Sequence, residues 1–128
     1  MLSNISNNKK KTLEDFDKSM KLFLNESIKF FPVSSITRIR RQYKALNILR
    51  KDGSLKYFIN ELIPFQENIF NKDEKTFLES KTFMVEDPKM VSAWKSLEYP
   101  IKEIMWKHLQ VLYCLAYKYL QEKNVVFN

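Results

Sequence analysis

"IKEIMWKHLQVLYCLAYKYLQEK", Ile101–Lys123, is the longest periodic stretch of the chain, and its reading decides the fold. At 100° per residue, Ile104, Met105, His108, Leu112, Leu115, Ala116 and Tyr119 fall within about 60° of Ile101 on either side, the ordinary core face of a helix. A second stripe, Trp106, Tyr113 and Tyr117, clusters around about 120° to 160°, with Leu109 and Leu120 bridging the two. Only Glu103, Lys107, Gln110, Lys118 and Gln121, with Cys114 among them, are left for a solvated side. A helix this widely apolar is central in its domain or covered by another chain. It is not a membrane span, because Lys107, His108 and Lys118 cut the uncharged run well below the roughly 20 residues a bilayer needs.

The rest of the chain reads as shorter helices around this one. Thr12 and Asp15 approximate a capping box, and Leu13, Phe16, Met20, Phe23, Leu24, Ile28 and Phe31 then repeat at three and four residues until Pro32. Residues 1–11 have no hydrophobic period and read as a flexible basic arm ending in Lys9, Lys10 and Lys11, which leaves 12–128 as one helical domain. Ser34 or Ser35 caps a second helix with Ile36, Ile39, Tyr43 and Leu46 on one face and Arg38, Arg40, Arg41 and Lys44 on the other. Ile48 falls on that basic side, so either the helix breaks after Leu46 or its far end is covered. Gly53, the one glycine of the chain, suits a left-handed C-cap.

A third helix follows through Leu55, Phe58, Ile59 and Leu62, and Pro64 marks a kink or restart. Asn71 caps a short helix over Lys72–Glu79, "SKTFMVE" is ambiguous between loop and a short extended segment, and Asp87–Pro88 is an N-cap and N1 pair opening a helix through Met90, Val91, Trp94 and Leu97. Pro100 opens the last helix. One glycine and four prolines leave too little turn chemistry for a many-stranded sheet protein. The fold expected is all-α: a single irregular bundle of five to seven helices with the C-terminal helix at its centre.

The inventory of reactive groups is short. His108 is the only histidine, so paired-imidazole metal sites are excluded and any nucleophile would depend on this one base. Its place on the apolar face marks it as a hydrogen-bonded, partly buried structural residue. Cys114 lies about 240° away around the same helix and cannot meet it within the chain. A single glycine cannot make a phosphate-cradling loop or a dinucleotide fingerprint. The carboxylates Glu14, Asp15 and Asp17, then Asp73 and Glu74, then Glu86 and Asp87, fall at expected helix starts, where they offset the helix dipole. No catalytic residue, metal or cofactor is expected.

The formal net charge is +7. Three of the four arginines stand together in "TRIRRQYK", and arginine suits bidentate phosphate contact. No recognition helix, zinc finger or aromatic RNA-binding motif accompanies them, so nucleic-acid binding through this face would be independent of sequence. The single cysteine and the absence of an apolar leader in "MLSNISNNKKK" point to an intracellular, reducing compartment.

The order "FLNESIKFFP" (23–32), "FINELIPFQENIFNKDEKTFLES" (58–80), a Trp94 segment and "IMWKHLQVLYCLAYKYL" (104–120) resembles a group of small helical proteins of large nucleocytoplasmic DNA viruses. His108 departs from the group's pattern, which more often has an aromatic residue there. The resemblance spans about residues 13–120 and rests on hydrophobic anchors, which constrain packing and not chemistry. It implies a viral origin, a helical fold and a host-cytoplasmic or virion setting, with no activity to carry over.

The function expected is therefore that of a non-enzymatic viral interaction or structural protein, meeting a protein partner or a second copy through Trp106, Tyr113 and Tyr117. The alternative is a sequence-independent nucleic-acid-binding accessory protein using Lys9, Lys10, Lys11, Arg38, Arg40, Arg41 and Lys44. No small-molecule substrate is evident from the sequence.

Overall fold

The computed structural model describes residues 2–125, and side chains over 8–122. In chain order the helices are α1 (Leu2–Ser27), α2 (Val33–Leu49), α3 (Gly53–Leu62), a 3-10 turn (Ile63–Phe65), α4 (Gln66–Phe70), α5 (Glu74–Glu79), α6 (Pro88–Ser96) and α7 (Tyr99–Val125). No strand occurs among the described residues, so the protein is all-α.

α7 packs antiparallel along α1. Thr12 meets Glu122 through a 2.8 Å hydrogen bond, the Phe23 ring lies 5.4 Å from that of His108, and the Ser27 hydroxyl points at the Met105 sulfur 3.8 Å away. Pro32 then turns the chain back, so that α2 runs alongside α1 in the opposite sense, with Arg40 bonded to Asn25. The remaining elements close over α7. Trp94 of α6 is fully buried, with its ring centroid 5.1 Å from Trp106 and 5.5 Å from Phe77. Its indole N–H donates to Glu74, whose carboxylate also takes Lys102 at 2.8 Å, so the polar tip of the tryptophan is satisfied at the edge of the core.

The core face of α7 is rotated from the one expected. Met105, Trp106, Leu109, Leu112, Tyr113, Ala116 and Tyr119 are buried. On a helical wheel they fill an arc centred about 70° from Ile101, between the two expected stripes. Ile104 and Val111, on the far side of Ile101, are exposed. Aromatic bulk decides the rotation: a buried Trp or Tyr removes more apolar area from water than the smaller side chains it displaces to the edge.

Several local expectations are corrected. α1 begins at Leu2, so residues 2–11, read from the sequence as a flexible arm, are helical, and Thr12 is no cap. Its hydroxyl bonds back to the Asn8 carbonyl at 3.0 Å and across to Glu122. Glu14, Asp15 and Asp17 consequently stand inside a helix and cap nothing. Pro32, not Ser34 or Ser35, holds the N-cap position of α2, and the buried Ser35 bonds Asp87 at 2.8 Å. Gly53 is not a left-handed C-cap. It opens α3 so close to the end of α2 that a Cβ there would run into the Leu46 carbonyl. Asp73, rather than Asn71, caps α5 by accepting from the Thr76 N–H at 3.2 Å.

Other expectations match the structure. Asp87 caps α6 by accepting from the Lys89 N–H at 2.9 Å, with Pro88 behind it. Pro64 sits in the 3-10 turn that separates α3 from α4. "SKTFMVE" forms a turn that drives Phe83, Met84 and Val85 into the core.

Candidate functional site

The aromatic stripe of α7 divides. Trp106 and Tyr113 are each 3% exposed, the first under Trp94 and Phe77, the second edge-on to Phe70 at 5.8 Å with its hydroxyl donating to Gln66. Both are committed to the chain's own core and are withdrawn as interface residues. Tyr117, at 46% exposure, stacks on Tyr113 at 6.3 Å and is the one member of the stripe that faces outward.

His108 is half-buried beside Phe23, and burial lowers its pKa against the raising influence of Glu26. No hydrogen bond to it occurs among the described residues, so it is a packing residue at the rim rather than the hydrogen-bonded one expected. It borders a shallow apolar groove with Leu22, Ile104 and Val111, and no carboxylate lines that groove. Cys114 is exposed on another side of α7. Among the described residues no group of three or more His, Cys, Asp or Glu side chains is placed to hold a metal ion. No described helix is long and apolar enough to cross a membrane.

The basic residues of α2 form the more organised surface. Its 17 residues contain four cations and no carboxylate. Arg38 lies 3.6 Å from Asp87, which holds it toward α6. Arg41 is exposed, and Arg40 and Lys44 turn toward α1 and line a cleft of about 380 Å³ between the two helices. α1 supplies the opposite wall with Asp17, Lys21 and Asn25. Met20, Leu24 and Tyr43, all buried, form the floor.

Asn25 accepts from the Arg40 guanidinium at 3.0 Å through its side-chain oxygen, and Asn47 accepts from the Ser54 N–H at 2.9 Å through its own. Both amides are thereby fixed with their oxygens used and their NH2 groups left as donors. Asp17 is the single carboxylate of the lining, and burial raises its pKa against the lowering influence of Lys21. The cleft thus offers three cations, N–H donors and one carboxylate above an apolar base.

The Lys-rich segment joins this surface only in part. Lys10 is exposed and lies on the same side of α1 as Lys21, three turns or about 16 Å away. Lys9 sits over the Tyr119 ring, 5.0 Å from its centroid, and Lys11 pairs with Asp15 at 3.7 Å. Beyond Lys44 the α2 helix continues to Leu49, with no break after Leu46. Ile48 and Leu49 stand 84% and 81% exposed there, followed by the exposed Arg50 and Lys51.

Lys21, Asn25 and Asn47 were not singled out by sequence reasoning. A signal for part of the set exists: Asp17, Lys21 and Asn25 recur every four residues on one side of α1, and Pro32 folds α2 back across that side.

Comparison with protein-family models, with curated proteins and with solved structures finds no match to this chain. The class the fold and the cleft define is that of a small all-α bundle built around its C-terminal helix. On one flank two helices present converging cations.

Proposed function

We propose that the protein is a non-catalytic binding protein for nucleic acid, contacting the phosphate backbone without reading sequence through the α2 face and the α1–α2 cleft. The observation that carries this reading is the convergence of Lys21 of α1 with Arg40 and Lys44 of α2 at one cleft, three cations against the single carboxylate Asp17, on the flank of a helix, α2, that has no carboxylate of its own. Arg41 extends the row outward, and Lys10 continues it along α1. Arg40 is held by a neutral amide, so its charge is positioned without being cancelled. A phosphate placed there gains charge-assisted hydrogen bonds from groups already oriented.

The reading that α7 meets a protein partner through its aromatic stripe loses its support, because two of its three residues lie in the core.

Binding to an oligonucleotide is expected to weaken steeply as salt rises, each neutralised phosphate contributing roughly 0.7 to 0.9 to the slope of log Kobs against log salt. The triple variant Arg40→Gln, Arg41→Gln, Lys44→Gln should flatten that slope while leaving the fold intact. Absence of binding at low salt, or a slope unchanged in the variant, contradicts the reading.

A further inference from the structure

We infer that the α1–α2 cleft holds a single unstacked nucleotide, so that the protein prefers single-stranded nucleic acid to duplex. The inference rests on the nucleic-acid reading above and goes further, to the form of the strand. Its basis is the shape and layering of the cleft rather than the charge of α2.

At about 380 Å³ the cleft lies at the small end of sites for small molecules, room for one nucleotide and not for the body of a duplex. Its layers match the parts of such a ligand. Met20, Leu24 and Tyr43 make an apolar floor suited to a base, Met20 bringing a polarisable thioether that packs well on an aromatic ring. The NH2 groups of Asn25 and Asn47, their oxygens already engaged, face acceptors on a base edge or sugar. Lys21, Arg40 and Lys44 take the phosphate.

In a duplex the bases are stacked and paired in the interior, and none can reach the floor without being unstacked. A flexible single strand presents a base at little cost, and its flanking phosphates follow the cations toward Arg41 on one side and Lys10 on the other. The same chemistry is offered by a free nucleoside monophosphate, which is the second source of ligand.

The test compares a single-stranded oligonucleotide, a duplex of equal length and adenosine 5′-monophosphate on the wild type and on Asn25→Trp. Asn25 is exposed at the cleft wall, so the indole fills the opening, and it also removes the hydrogen bond that holds Arg40. The wild type should bind the single strand about tenfold more tightly than the duplex, the order of one base contact. The monophosphate should compete, and Asn25→Trp should abolish both the preference and the competition, leaving strand and duplex bound equally through the remaining cations.

Equal binding of strand and duplex, unaffected by Asn25→Trp, overturns the cleft as a nucleotide site and leaves the phosphate-backbone reading standing. Binding of the monophosphate without either polymer confirms the cleft's ligand chemistry, overturns the single-strand preference and refutes the nucleic-acid reading. Binding of none of the three overturns both. Arg40→Ala, which loosens Asn25 without filling the space, serves as the second variant: it should weaken the single strand more than the duplex, and an equal loss on both contradicts the proposal.

Discussion

The Tyr119 hydroxyl donates a 2.7 Å hydrogen bond to the Asp52 carboxylate, joining residues 67 positions apart and fixing the C-terminal helix to the start of α3. Burial pushes the Asp52 carboxyl up, but the Tyr119 hydroxyl, with Lys56 and Arg50 close by, outweighs it, and the net shift is below the usual carboxylate range. A carboxylate with a depressed folded pKa contributes stability that is present above the unfolded value of about 4 and is lost as the pH falls through the folded one.

Tyr119→Phe keeps the ring under Lys9 and removes only the hydroxyl. It should cost about 1 to 3 kcal/mol at neutral pH, the range for breaking a buried hydrogen bond to a charged group. Urea unfolding of the wild type and the variant should show the gap narrowing below about pH 4, where Asp52 takes up a proton and the charge-assisted part of the bond disappears. A gap that stays constant to pH 2 would show that Asp52 does not carry it.

Trp106 and Tyr117 lie on the same stripe and should respond differently. Trp106→Ala opens a cavity beneath Trp94 and Phe77 and should cost about 3 to 5 kcal/mol. Tyr117→Ala loses mainly its stacking on Tyr113 and should cost no more than about 1.5 kcal/mol. Chemical denaturation of both variants checks the pair, and similar losses would contradict the rotated core face.

Gly53→Ala is the substitution that helix propensity alone gets wrong. Alanine is the better helix former by about 1 kcal/mol, yet its Cβ would meet the Leu46 carbonyl, backbone that cannot swing aside. The variant should lose about 1 to 3 kcal/mol, in the range of other overpacking changes, and a gain in melting temperature would show that the α2–α3 junction yields.

The helices and their number were legible because hydrophobic period, prolines and the Asp87–Pro88 pair act locally. What the sequence hid depends on packing between elements. Aromatic bulk chose which of two adjacent stripes of α7 would point inward, and a wheel drawn on one helix carries no record of its neighbours' shapes. Gly53 looked like a helix terminator because glycine serves both left-handed turns and close approaches, and only the position of Leu46 distinguishes them. The arginines of α2 were visible as a cluster, and Asn47 shares the Arg40 face of the same helix, but Lys21 and Asn25 joined them only once Pro32 had folded α2 back along α1. The start of α1 was missed because "NISNNKKK" lacks an apolar stripe, although Lys9 and Thr12 are engaged by Tyr119 and Glu122 of α7.

The most direct test of the central claim is backbone amide NMR during titration with a single-stranded oligonucleotide at low salt. The account predicts that shift changes gather at Lys21, Asn25, Arg40, Arg41 and Lys44, with Lys10 at their edge and the core of α7 undisturbed. Changes gathered instead around Phe70, Cys114 and Tyr117, or no change at saturating oligonucleotide, would contradict it.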